Sequence, residues 1–456
     1  MRSRLHNILF WVHVNVLAVL IVLAMYGLAR GQASKQAATK TDAAAQQPAD
    51  YARMDELRRA GVDALYNLDY EGARTHFAEI ARLYPDHPAG PQFLAVRLWL
   101  KTLNESRRLQ SGLYNTESFY KESEEKTDPK VVAQFRDLTR HARLLAEARL
   151  KKNPKDVDAL YYLGSVQGLR AAFAGAVERS FMTALRTGSD SVDKHREVLK
   201  LDPSFHDAGL SVGMYEYIAG SIPAIYKPVA FLLGTRGSKK KGLALIERVV
   251  AEGQWSRDEA RGILIIFYKR ERRYADALKY ARELAEKYPR NYLFKLETAD
   301  ALVSQAAVER KAGNQTATAA NEREAFAMFD ALLRDKASRE AAARQLDLIH
   351  YQYGEALFVA GQTERAAKEF LAAATVAGAE KNLVTVARLR AAQSLDLAGK
   401  RNDALAQYKL VLASPNVYDS HEEAKRGLKE PFKKVGDKAE VEANSGQEVS
   451  TTGNEE

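Results

Sequence analysis

The stretch of this chain with the residue types for chemistry is a glycine- and lysine-rich run, Gly234-Thr-Arg-Gly-Ser-Lys-Lys-Lys-Gly242. Glycines that free backbone N–H groups, followed by lysines, are what a phosphate-binding loop needs. The run lacks the Gly-Lys-Ser/Thr ending that presents a hydroxyl to Mg²⁺, and no strand pattern precedes it. It reads as a basic turn, residues 235–241, in which Arg236, Lys239, Lys240 and Lys241 would meet anionic lipid or an acidic partner. The nine histidines are scattered without metal-ligand spacing and no HExxH pair occurs. His350 reads as a packing or groove residue rather than a catalyst. The absence of cysteine excludes disulfides, thiolate metal sites, a cysteine nucleophile and a Cys-linked lipid anchor. No acid/base pair stands out, so the chain is expected not to be an enzyme and to need no cofactor and no metal.

The elements that must position these residues are helices. In Arg261–Pro289, Ile265 and Tyr268 lie one helical step apart, while Tyr274, Ala277, Ala281 and Leu284 recur at three- and four-residue steps. The pattern predicts two antiparallel helices, with Ala277 small at their close approach and Pro289 stopping the second. This spacing resembles the tetratricopeptide repeat (TPR), a helix–turn–helix unit that cannot bury its apolar face without neighbours. Gly61, Tyr70, Ala73, Phe77 and Pro85 carry the same small–Tyr–Ala–Phe–Pro pattern. Gly354, Ala366, Phe370 and Ala373 repeat it, followed by Ala392, Ala404 and Tyr408. The expected fold is therefore all-α: a TPR-like α-solenoid of antiparallel helix pairs, with an N-terminal hydrophobic export or anchor helix.

The 456 residues carry a net charge of +9. Lys and Arg are mostly interleaved with Glu and Asp, which describes a solvated helical surface, so no nucleic-acid partner is expected. Residues 1–33 read as a signal peptide or signal anchor. Ile8–Leu28 is apolar except for His13 and Asn15, and about 20 such residues suffice to span a bilayer. Gly31-Gln32-Ala33 offers small residues for cleavage after Ala33, so removal and retention both stay open. Either outcome places the body in an extracytoplasmic, periplasm-like envelope, anchored to the inner membrane if the helix is retained. Residues 34–50 read as a flexible linker, 51–434 as the repeat domain, and 435–456 as a disordered acidic tail. Within the domain, Glu105–Lys130 departs from the compact pattern, Ala174–Leu201 reads as a long helix or a pair broken near Gly188, and Asn416–Lys434 as a polar cap. Asn104-Glu-Ser and Asn314-Gln-Thr are formal glycosylation sequons.

Residues 217–242 form a central apolar insertion, of which Tyr217–Leu233 is the least repeat-like part. From Gly213 through Pro223 and Pro228 to Gly234, Gly237, Gly242 and Leu243, the chain is similar to the tetratricopeptide repeat domain 39 family, except that Ser238 stands where the family usually has Asp. That resemblance, over about 202–291, implies a helical-repeat scaffold without established chemistry.

In TPR arrays the first helix of each pair lines the concave surface. Carried onto this chain, those positions are Tyr161, Ser165, Met214, Tyr217, Ile266, Lys269, Tyr351, Glu355, Phe358, Leu389 and Gln393. Aromatics and Met among polar groups suit a peptide or helix ligand. The expected function is a non-enzymatic protein–protein interaction scaffold that binds a protein or peptide partner in this groove, with membrane contact through the N-terminal segment if uncleaved. The alternative is a peripheral membrane or envelope-lipid binding protein that uses 217–233 and the basic turn.

Overall fold

The computed structural model describes residues 51–106, 127–178, 180–222, 236–417 and 419–433. The leader, linker and acidic tail lie outside the described residues, as do 107–126 and the proline-containing stretch 223–235. All regular elements among the described residues are helical, and no described helix is long and apolar enough to cross a membrane. The chain divides into two compact units, Met1–Ala301 and Leu302–Glu456.

The first unit stacks helix pairs in chain order. Helix α1 (Tyr51–Tyr66) pairs with α2 (Tyr70–Leu83), α3 (Ala89–Glu105) with α4 (Pro129–Lys152), and α5 (Val157–Ala176) with α6 (Phe181–Leu201). A 3₁₀ turn at His206–Ala208 then leads into α7 (Gly209–Gly220), which packs on α8 (Lys239–Glu252). Helix α9 (Arg257–Arg270) pairs with α10 (Tyr274–Lys287), and α11 (Tyr292–Lys311) carries the division between units. The second unit continues through α12 (Gln315–Arg334), the short α13 (Lys336–Ala341), the pairs α14 (Leu346–Val359) with α15 (Thr363–Thr375) and α16 (Lys381–Leu397) with α17 (Arg401–Leu412), and a closing α18 (Ser420–Lys429). Each unit is thus an all-α stack of TPR-like antiparallel pairs.

The turns explain where first helices stop. After α14, Gly361 takes φ +78°, its N–H reaches the Phe358 carbonyl, and the Gln362 N–H reaches back to Leu357. This is the left-handed cap that satisfies the last carbonyls of a helix. Gly313 and Gly399 close α11 and α16 in the same way. At α1 and α9 the same bonds form, but the left-handed residues are Leu68 and Arg272. There a Cβ crowds the carbonyl at a cost of roughly 1–2 kcal/mol. Second helices start on side-chain caps where Asp69 accepts from the Gly72 N–H and Asn314 from the Ala317 N–H.

Packing within pairs follows a small-into-large rule. A Cβ on Gly61 would enter the Phe77 ring, and one on Gly354 would meet Phe370 at 2.7 Å. Both phenylalanines are fully buried, so these glycines let an aromatic of the second helix lie on the backbone of the first. Between α7 and α8 the approach is closer still. A Cβ on Gly242 would lie 2.5 Å from the Tyr217 nitrogen, and one on Gly213 2.9 Å from the Gly242 oxygen.

Three expectations change here. Lys239–Lys241 do not lie in a turn: Ser238 accepts from the Lys241 N–H and starts α8 at Lys239. The apolar stretch from Tyr217 is not wholly an insertion, because Tyr217–Gly220 are the last turn of α7. Gly188 does not interrupt α6, which runs unbroken to Leu201, and an added Cβ there would only make ordinary contact with Ala171.

The first unit also closes on itself. The Asn291 amide donates to the Tyr66 carbonyl at 2.7 Å, and the Tyr66 ring stacks on Tyr288 with centroids 5.0 Å apart. The Tyr292 hydroxyl donates to the Asn104 side chain at 3.2 Å. The first repeat therefore ends against residues some 225 positions further along the chain.

Two substitutions check these points. Arg272→Gly relieves a left-handed exposed residue and is expected to raise stability by about 0.5–1 kcal/mol. Gly242→Val places carbon against backbone that no rotamer change can move, so a loss of about 1–3 kcal/mol or more is expected. Urea unfolding followed by circular dichroism measures both, and a destabilised Arg272→Gly would show that the Arg272 side chain matters more than its backbone.

Candidate functional site

The candidate groove residues fall into two clusters in the first unit and one in the second. In the first unit, Tyr161 and Ser165 lie on α5 around a buried histidine. The Tyr161 ring stacks on His195 of α6 with centroids 5.2 Å apart and leans on Phe205 and Trp255. Its hydroxyl is 3.3 Å from the Ser256 hydroxyl. His195 Nε2 lies 3.1 Å from the Tyr161 carbonyl and 3.4 Å from Ser165 Oγ, and Nδ1 lies 2.5 Å from Ser211 Oγ. A carbonyl only accepts, so Nε2 carries the proton and Nδ1 accepts from Ser211. Burial pushes the imidazole down to about 4, partly countered by the bond to Tyr161. Tyr161 is itself buried, so this cluster is core in which polar groups are satisfied internally.

The same region holds a cross-link between segments nearly fifty residues apart. Asp207, buried in the 3₁₀ turn, accepts from the N–H groups of Gln254, Trp255 and Ser256 at 2.9, 2.8 and 2.7 Å. It thereby caps α9 from outside that helix. Arg58 of α1 lies over the Trp255 ring, 5.3 Å from its centroid. One turn into α9, Glu259 is reached by water but closely walled by protein. Burial, then the Asp207 charge, push its carboxyl up to about 7. An acid raised in the folded state opposes folding once ionised. The favourable protonated contribution is therefore complete at low pH and lost as pH rises from about 4.5 to about 7, with solvent access moderating its size.

The second cluster spans α7 and α9. Tyr217 is fully buried, its ring stacked on Phe267 at 3.8 Å and its hydroxyl donating to Glu271 at 2.8 Å. It is a core residue, as its aromatic size and its place beneath Gly242 require. Met214 and Ile266 are half-buried and pack on the same core. Lys269 pairs with Glu297 at 2.9 Å and with Asp300. Burial opposes its charge, but the two carboxylates outweigh it and hold the ammonium above its ordinary value. Lys239 pairs with Glu271 at 2.7 Å, and Lys241 lies 3.8 Å from Glu216, so these two lysines already face carboxylates of this chain.

The third cluster, in the second unit, joins candidate residues from α14 and α16 through a residue that spacing alone does not single out. Arg390 donates from Nε and Nη2 to the two oxygens of Glu355, at 2.6 and 2.7 Å, and from Nη1 to Gln393 at 2.9 Å. Gln393 donates in turn to Glu423 of α18 at 2.8 Å. The guanidinium lies over the Phe358 ring, 4.0 Å from its centroid. Its pKa is raised: burial opposes the charge, but the Glu355 bonds and charge outweigh it. Phe358, Leu389 and Gln393 are buried, whereas Tyr351, Glu355 and Arg390 keep partial exposure. His350 pairs with Glu369 at 2.7 Å. The result is an Arg–carboxylate–aromatic platform fixed in one geometry on three helices.

What could have pointed to Arg390 is its place one turn before Gln393 and level with Glu355 of the preceding repeat, a cross-repeat relation that only stacking makes visible. Among the described residues no group of three or more His, Asp and Glu could hold a metal ion.

These features define a protein of stacked TPR-like helix pairs. No family model and no curated protein matches the chain. Among solved structures, a human IFIT1 dimer with m7Gppp-AAAA is similar at 13% identity, over 84% of this chain and 86% of that one, with a TM-score of 0.41. A tetratricopeptide repeat protein from Parabacteroides merdae is similar at 13% identity, over 74% of this chain and 99% of that one, with a TM-score of 0.28.

The His195 arrangement gives a direct test. In the folded protein its ring is expected to stay neutral with the proton on Nε2 down to about pH 5, against an ordinary value near 6.5. Because the folded value is depressed, the stabilisation is complete above 6.5 and lost as pH falls towards 4, by up to about 3 kcal/mol. Long-range ¹H–¹⁵N spectra that show a cationic ring at pH 6 would contradict this geometry.

Proposed function

We propose that this chain is a non-enzymatic binding scaffold that presents first-helix faces of its repeats to a protein or peptide partner. The observation that carries the reading is the Arg390 platform. A half-exposed guanidinium, locked between a bidentate carboxylate and an aromatic face, has lost its rotamer freedom before any partner arrives, which lowers the entropy cost of binding. Tyr351 and Glu355 beside it supply a further aromatic surface and acceptor. The residues 1–33 support an exported protein in a cell envelope, soluble if cleaved after Ala33 and inner-membrane anchored if intact. The likeness of 202–291 to the tetratricopeptide repeat domain 39 family accords with a scaffold role.

The test is a crosslinking pull-down of tagged full-length protein from its native envelope, with the mature N-terminus read by mass spectrometry. The reading expects one or a few proteins, at least tenfold less abundant with Tyr351→Ala or Arg390→Met. Recovery unchanged by these substitutions, or of lipid alone, would overturn it. A mature chain that begins at Ser34 would make the protein soluble after export, and one that begins at Met1 or Arg2 would make it anchored.

A further inference from the structure

A cavity of about 720 Å³ in the first unit lies between α4, α5 and the start of α6. Its wall is unusual in charge. Arg136, Arg140 and Arg143 project from one face of α4 at spacings of four and three residues, and Arg170 enters from α5. Against these four guanidinium groups the lining holds one carboxylate, Glu178, which Arg136 already occupies at 3.0 and 2.7 Å. Arg140 and Arg143 each hold a carboxylate of their own helix, Asp137 at 2.9 Å and Glu147 at 2.7 Å, outside the lining. Arg170 has no carboxylate at ion-pair distance among the described residues, and its side chain donates only to the Gln167 amide oxygen at 3.1 Å.

Arg170 and Arg143 are both half-buried. Burial, then the Arg143 charge, hold the Arg170 guanidinium below its ordinary value, and the more distant Asp190 and Glu178 carboxylates only partly oppose this. The apolar part of the lining is Phe135 and Phe173, which stack at 3.7 Å with their planes 9° apart, together with Ala174.

We propose that this cavity binds a small organic phosphate, a phosphomonoester or diphosphate whose anionic end sits among Arg140, Arg143 and Arg170 and whose apolar part lies towards Phe135 and Phe173. A volume of this size is ordinary for a small-molecule site, with an apolar wall and a few convergent polar groups. Guanidinium forks match phosphate oxygens two at a time, and the several terminal oxygens of a phosphate can accept from more than one arginine at once. Binding would place an anion between Arg143 and Arg170 and remove the repulsion between them. This site is separate from the Arg390 platform and stands whether or not that platform binds a protein.

The experiment titrates full-length protein calorimetrically with inorganic pyrophosphate and with adenosine 5′-monophosphate, using succinate as the carboxylate control. Saturable binding of both phosphate probes is expected, at least tenfold tighter than succinate. Arg170→Gln and Arg140→Gln are expected each to weaken pyrophosphate at least tenfold, while Arg82→Gln, on the exposed face of α2, changes it less than twofold. Arg170→Lys, which keeps the charge but not the fork, is expected to fall between wild type and Arg170→Gln. Thermal melts establish that each variant folds, and the exposed Arg140 carries the test if an Arg170 variant does not. Absent saturable binding, equal affinity for succinate, or equal weakening by Arg82→Gln would overturn the assignment, the last by showing a diffuse response to surface charge.

Discussion

The contact on which the stack depends is an aromatic ring of one helix laid on the bare backbone of the next. Gly61 receives Phe77, Gly354 receives Phe370, and Gly427 receives Tyr408. Each event removes a large apolar side chain from water, and the glycine allows the helix axes to come close enough to exclude voids. The Gly213–Gly242 crossing carries this to its limit, because backbone meets backbone with no side chain between. A helix pair built this way still leaves an apolar outer face, so each pair needs the next and the array grows by repetition. The closing helix α18 ends the second unit with an exposed, charged face that carries Glu422, Lys425 and Arg426.

A few buried polar groups then join segments far apart in sequence. Asp207 fixes the start of α9, Asn291 holds the end of α1, and Arg390 links α14 to α18 through Gln393. Each satisfies groups that would otherwise be buried without partners, and leaving a charged group so placed unpaired costs more than a typical hydrogen bond contributes. Their value is geometric as much as energetic. Apolar faces can slide, whereas three N–H groups converging on one carboxylate fix a single arrangement.

The two candidate sites use arginine in opposite states. At Arg390 the guanidinium is matched by its carboxylate and serves as a rigid, nearly neutral surface. In the cavity three arginines hold carboxylates, and Arg170 alone has none at ion-pair distance among the described residues. The first arrangement suits contact with a polypeptide, where shape and lost rotamer entropy decide affinity. The second suits a compact anion, where charge and fork geometry decide it.

The helical class and the pairing of helices were legible in the residue order, because a 3.6-residue period and a small residue facing an aromatic are local properties. Gly354, Phe370 and Tyr408 were found in this way. The fates of individual side chains were not. Tyr217 and Tyr161 sit at positions a groove would use, yet they are buried, because helices distant in sequence close over them. Lys239–Lys241 read as a loop because glycines surround them, but the cap at Ser238 and the close approach of α7 put them on a helix. Arg390, Arg170 and Glu259 carry no signal in their own neighbourhoods. Their roles come from charges and rings on other repeats, and electrostatic environment is a property of distance in space rather than along the chain. Local periodicity therefore determined the repeat, and only stacking decided which of its polar groups are satisfied within the fold and which stay exposed.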